Sequence, residues 1–197
     1  MKLCPTPGWD DLRITSFAPR TSAPVQANFT AVPATYEVQS WEFANNGTER
    51  GLNGVTQVPH AWYYQQTPIY MHLHMSTTGA LAAGAQPGFF VSVLIQKIGQ
   101  DLASAYNPAN PYWVGMTVPV GGYNAKTHII SDEVAIPATY FGLSAMIMVY
   151  VFRKKGTLLA TVNAGNVTEN VNDVLWLHEL DFHVQTGRYG SNGINTP

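Results

Sequence analysis

The sequence predicts an all-β protein, an antiparallel two-sheet β-sandwich or jelly roll preceded by an extended N-terminal arm. Three observations lead there. From residue 35 onward, short runs rich in Val, Ile, Tyr, Phe and Trp are separated by Asn, Gly and Pro turn signals. No helical periodicity alternates with these runs, so the strands pair antiparallel rather than through crossover helices. About eight to ten strands in one unit with long loops are what a two-sheet sandwich requires.

Residues 1–34 carry Pro5, Pro7, Pro19, Pro24 and Pro33. Proline fixes φ and removes a backbone donor, which argues against helix and against a central strand. An extended arm with a local turn at residues 9–12 (WDDL) is expected there. The sandwich domain spans 35–185. Residues 35–43 (TYEVQSWEF) alternate as a strand and end at the turn Asn45-Asn46-Gly47-Thr48. Strands are expected at 52–58 and 67–76, then a Gly/Ala loop at 79–88. The buried strand 89–98 (FFVSVLIQKI) follows, then NPANP at 107–111, which suits no regular element. Strands at 112–118 and 126–134 come next.

Residues 143–152 (LSAMIMVYVF) form the most apolar stretch. Ala145, Ile147, Val149 and Val151 line one face, and Met146, Met148, Tyr150 and Phe152 the other. A strand apolar on both faces must be covered on both sides. One face therefore meets the second sheet, and a neighbouring subunit is expected on the other. Arg153, Lys154 and Lys155 read as a strand-end turn closing at Gly156. Residues 163–172 read as an Asn-rich loop, 173–185 as the last strand, and 186–197 as a flexible tail.

The 197-residue chain has 10 Lys and Arg and 12 Asp and Glu, so 11% of it is charged. Soluble domains usually carry about 25%. A surface poor in interspersed charge and rich in Asn, Gln, Ser, Thr and Gly resembles an interface more than a free exterior. Burial of much of this surface against other chains follows from that. The net charge of −2 offers no basic footprint for nucleic acid. No run of about 18 apolar residues is present to cross a membrane as a helix. The opening MKLCPTP does not read as a secretory signal. Cys4 is the single cysteine, which excludes an intramolecular disulfide and a multi-cysteine zinc site.

Histidine is the residue type that points to chemistry. His72 and His74 stand two apart on an expected strand, so both rings share a face. On the last strand Glu179, Asp181 and His183 share one face, and His178, Leu180 and Phe182 the other. His72, His74, Asp181 and His183 form a ligand set suited to a divalent transition metal; a hydrogen-bonded polar cluster is the commoner use of such residues. HELDFH is not the helical zinc motif, because His178 and His183 are five apart on a strand. A cupin-like metal enzyme would need a carboxylate shortly after His74, and residues 75–83 hold none. No nucleophile elbow, phosphate loop or dinucleotide fingerprint appears, so neither enzymatic activity nor an organic cofactor is expected. Three N-x-T sequons begin at Asn28, Asn46 and Asn166. Trp41, Trp62, Trp113, Tyr63, Tyr64, Tyr112 and Tyr123 would serve either packing or sugar stacking.

Three segments together resemble a family of tailed-bacteriophage and prophage virion structural proteins. Residues 9–14 (WDDLRI) are similar to that family's W-D-D-L-R start. Residues 58–76 (VPHAWYYQQTPIYMHLHMS) resemble its H-x-W and H-x-H block, and residues 180–191 (LDFHVQTGRYGS) its E-L-D-F-H end. Order and spacing agree along nearly the whole chain. Met71, Met75 and Val184 depart from the family pattern; His60, His72, His74, Asp181 and His183 match it. The resemblance implies a virion protein, assembled in a bacterial host's cytoplasm. Together with the charge-poor surface, it implies a homo-oligomer, with a trimer as the expected form, acting as a capsid cement or decoration protein bound to the major capsid protein or other virion proteins. A neck, collar or tail-fibre component is the alternative. Trp9, Leu12, Met146, Met148, Tyr150 and Phe152 are the expected interface residues.

Overall fold

The structure is a computed structural model that describes residues 8–14, 17–19, 28–31, 39–44, 49–60, 62, 67–154 and 158–186. The described strands are β1 (Gly8–Ile14), β2 (Ala18–Pro19), β3 (Asn28–Ala31), β4 (Gln39–Phe43), β5 (Arg50–Gln57), β6 (Ile69–Thr77) and β7 (Gly88–Gln96). They continue with β8 (Tyr112–Gly115), β9 (Ile129–Ile130), β10 (Val134–Ile136), β11 (Met146–Arg153), β12 (Leu158–Thr161), β13 (Gly165–Thr168) and β14 (Leu175–Thr186). Sheet A runs β10-β6-β14-β4-β3, with β1 also paired to β14 and β9 to β6. Sheet B runs β2-β5-β11-β7-β8, and β12 and β13 form a separate hairpin. The pairs are antiparallel, and the two sheets pack face to face, so the molecule is the expected β-sandwich.

Period-two alternation builds the core. Ile69, Met71, Leu73 and Met75 of β6 and Leu175, Leu177, Leu180, Phe182 and Val184 of β14 are buried on the inner face of sheet A. Phe89, Val91, Val93 and Ile95 of β7 and Ile147, Val149 and Val151 of β11 meet them from sheet B. Phe43 and Phe89 close across the two layers edge to face, 4.9 Å between centroids. β14 is the hub. One of its sides holds β6, and the other holds β4 along Leu175–Leu177 and then β1 along Leu180–Thr186.

Several expectations are corrected. Residues 9–12 are not a local turn in an arm: all seven residues of β1 pair with β14, from Gly8 opposite Thr186 to Ile14 opposite Leu180. Their order is set by a strand almost the whole sequence away, which no local signal reports. Pro19 does sit in β2, an edge strand, where a missing N–H does no harm. Asn28–Ala31 of the expected arm is also a strand of sheet A, β3, paired with β4; residues 1–7, which include Cys4, residues 15–16, 20–27 and 32–34, and the tail beyond Thr186 lie outside the described residues.

The expected strand at 126–134 is two short strands with a break. At Ser131 the side chain replaces a ladder partner: the Leu73 N–H donates to Ser131 Oγ (2.9 Å) and the Ser131 N–H to the Leu73 carbonyl (3.0 Å). The next residue turns to the other sheet, its N–H donating to the Gly115 carbonyl. The Asn-rich stretch at 163–172 is not all loop, since Gly165–Thr168 is a strand paired with β12. Asn163 explains where that hairpin docks. Its side chain accepts from the Trp113 N–H and donates to the Trp113 carbonyl, both at 2.8 Å, acting as a strand partner for β8.

Arg153 is not a solvated turn residue but a core one, 2% exposed. Its five guanidinium N–H groups reach Glu169 twice and the carbonyls of Phe43, Asp173 and Val171, at 2.7–3.2 Å. A strand-end Arg points inward here because β11 keeps its alternation to the last residue and the 169–173 segment closes over it.

Candidate functional site

The outer face of sheet A carries the histidines. On β6 the residues between the core positions, Tyr70, His72, His74 and Ser76, point away from the core. Asp181 lies opposite His72 and Glu179 opposite His74 in the β6–β14 register. His72 Nε2 and His74 Nε2 are 3.0 Å apart, and an Asp181 oxygen lies 3.6 Å from the first and 3.3 Å from the second. A Glu179 oxygen stands 3.7 Å from His74 Nε2. His72 and Asp181 are buried, 4% and 2% exposed, while His74 is partly open. Three of the four residues of the expected ligand set are therefore brought together.

His183, the fourth, is placed beside the cluster rather than in it. Its Nδ1 lies 2.7 Å from Glu133 and its Nε2 3.2 Å from Asp11, so both ring nitrogens face carboxylates. The ring packs edge-on against His72 at 4.4 Å. Glu133 arrives through the break between β9 and β10, and Asp11 through β1; neither was a candidate from the sequence.

The expectation that His178 shares a face with Leu180 and Phe182 is corrected by a bulge. The β14 register shifts between Leu177 and Glu179, which puts His178 and Glu179 both on the outer face. Ser40 donates to the Leu177 carbonyl, so its oxygen accepts from His178 Nδ1–H (3.0 Å), while Ser76 donates to His178 Nε2 (2.9 Å). His128, also not anticipated, lies with its Nε2 2.8 Å from His74 Nδ1. Five of the six histidines thus line one face; His60 is exposed elsewhere.

Electrostatics favour neutral imidazoles in the interior of this row. Burial, then the neighbouring His183 and His74, pulls His72 down to about 4, against the smaller opposing effect of Glu133 and Asp11. Burial, with His128 and His74 nearby, lowers His178 as well. Burial and the neighbouring Glu179 raise Asp181, with His74 and Arg13 acting the other way. A groove of about 280 Å³, lined by Asp11, Arg13, His72, His74, Glu133 and Asp181 among others, opens over the cluster.

The second candidate surface is the outer face of sheet B. Tyr150, Phe152, Phe90 and Trp113 stack in a row with centroids 5.1–5.5 Å apart. Gly51 makes the row fit, because a Cβ there would collide with the Tyr150 ring. Phe152, expected at a subunit interface, is 7% exposed and covered by this row and by Val167 of the hairpin. Leu12 packs against the chain's own core. Trp9 is 56% exposed, with its ring edge-on to Tyr70. Met146 is exposed, and Met148 and Tyr150 are half-buried. Met148 and Tyr150 border a groove of about 550 Å³ with Val55, Leu94, Asn53, Ser92 and Ala18, and among the described residues no charged side chain lines it. Of the aromatics considered for sugar stacking, Trp62, Tyr112 and Trp113 are buried, and Tyr63 and Tyr64 lie outside the described residues.

No protein-family model matches this chain, and no curated protein does. Among solved structures, it is similar to one titled as the structure of infectious bursal disease virus, Gx strain, at 10% identity with a TM-score of 0.33. That similarity covers 93% of this chain and about a third (33%) of the other.

Proposed function

We propose that this protein is a structural subunit of a virion, a bacteriophage cement or decoration protein whose work is mechanical rather than catalytic. It docks as an oligomer, through the outer face of sheet B, onto copies of itself and onto the shell. The observation that carries this reading is the uncharged groove between Val55, Leu94, Met148 and Tyr150 on a chain only 11% charged. The hairpin covers the Phe152 end of that face but leaves Val55, 54% exposed, and Met146, 37% exposed, open. Obligate contacts are depleted in Lys, Glu and Asp and keep Met and aromatics, and Met148 and Tyr150 line this groove. The resemblance of residues 9–14, 58–76 and 180–191 to phage virion proteins supports the same reading.

Size-exclusion chromatography with light scattering tests the first half. A stable oligomer is expected, dissociating to monomer in Val55→Glu/Met148→Glu; a monomeric wild-type protein at high concentration would sink the proposal. Mass spectrometry of purified particles tests the second half. Copy numbers in the hundreds mark a shell protein, whereas about six to eighteen, the multiples of neck and tail symmetry, move the subunit to the collar or tail.

A further inference from the structure

The geometry points to a site for a divalent first-row transition ion, of which Zn²⁺ is the representative, held by His72 Nε2, His74 Nε2 and the Asp181 carboxylate between β6 and β14. It does not depend on the virion reading.

The first argument is spacing. Nitrogen and oxygen ligands about 2.0–2.2 Å from Zn²⁺ stand about 2.9–3.5 Å from one another in cis-octahedral or tetrahedral arrangement. The three atoms here are separated by 3.0, 3.3 and 3.6 Å. They come from an i, i+2 pair and a cross-strand residue, a scaffold held on both sides by β-ladders. Glu179, 3.7 Å from His74 Nε2, is placed as a further oxygen ligand, and the groove above leaves the remaining positions open to water.

The second argument is proton counting. Two Nε2 atoms 3.0 Å apart are joined by one proton at most, donated from one ring to the lone pair of the other. The Asp181 carboxylate, 2% exposed, then has no donor left from that pair. Among the described residues its Oδ1 has no hydrogen-bond partner, and neither has the buried His72 Nδ1. A buried carboxylate without donors is costly. A dication placed between the three atoms meets one lone pair on each Nε2 and one on the Asp181 oxygen that faces them. His128, 2.8 Å from His74 Nδ1, supplies the outer hydrogen bond that orients a ligating imidazole. Two imidazoles with a carboxylate suit Zn²⁺, Fe²⁺, Co²⁺ or Ni²⁺ rather than Ca²⁺ or Mg²⁺, which take oxygen ligands. The rival arrangement is an ion pair between a protonated His74 and Asp181, without metal.

The test uses the full chain, stripped with EDTA and dialysed. Calorimetric titration with Zn²⁺ is expected to show one ion per chain, and Co²⁺ to give visible d–d absorption. His74→Gln and Asp181→Asn should each weaken binding about tenfold or more, with His60→Gln unchanged and circular dichroism confirming the fold of each variant. No binding and no Co²⁺ bands up to about 1 mM would overturn the assignment in favour of the ion pair. Binding that survives both substitutions, or that His60→Gln weakens equally, would overturn it too. Should Asp181→Asn fail to fold, His74→Gln at the partly open position and the wild-type Co²⁺ spectrum decide alone.

Discussion

Arg153 shows how much a single side chain can organise. Its charge is taken out of water, which pulls its pKa down, and Glu169 together with three backbone carbonyls replaces the lost hydration. Removing one partner of a buried pair strands the other, at a cost of about 3–5 kcal/mol. Arg153→Met is therefore expected to lose that much stability in urea denaturation. Adding Glu169→Leu should restore only part of it, because the carbonyls of Phe43, Asp173 and Val171 stay without a donor. A loss below about 1 kcal/mol in the single variant would mean that water reaches Glu169. Nothing in RKKG distinguishes such an arginine from a surface one. What decides its direction is the unbroken alternation of β11 and the distant segment that closes over it. His72, His74 and Asp181 were legible because strand alternation alone puts them on one face. His128 and Glu133 were not, since their positions follow from how β9 and β10 pair with β6.

Among the elements, the long strands were read well and the irregular ones poorly. Strands β6, β7, β11 and β14 declare themselves through dense apolar alternation, which is a local property. A bulge is not local. The shift between Leu177 and Glu179 falls near where β14 exchanges β4 for β1 as a neighbour, and it moves His178 to the opposite face. The hairpin of β12 and β13 was likewise hidden inside an Asn-rich stretch. Two bonds between the Asn163 side chain and the Trp113 backbone attach it to β8, beside the Val162 N–H donated to the Pro111 carbonyl (3.0 Å) and the packing of Val167. Asn163→Ala leaves a donor and an acceptor of a half-buried edge unpaired, about 1–3 kcal/mol. The expected result is lower stability, with Trp113 fluorescence shifted to the red as the hairpin lifts from the aromatic row. Unchanged emission would show that Val167 and the stacked rings hold the hairpin without Asn163.

At the scale of the whole molecule, the sandwich was legible because two-sided patterning and turn chemistry repeat along the chain. The N-terminal segment was not, because proline content describes local freedom and not long-range pairing. That pairing has a practical consequence. Gly8 and Thr186 stand directly opposite each other in an antiparallel ladder, where facing Cα atoms are about 4.5–5.5 Å apart. A version running from Gly8 to Thr186 can thus be closed into a ring by a few glycines and reopened at the fully exposed Val120, beside Gly121. Such a rearranged chain should melt within a few degrees of the parent; a molten product would mean that β1 must be laid down in its native order. The same adjacency brings labels attached at Gly8 and Thr186 to one corner of the sandwich, so the two would report on a single neighbourhood of any assembly.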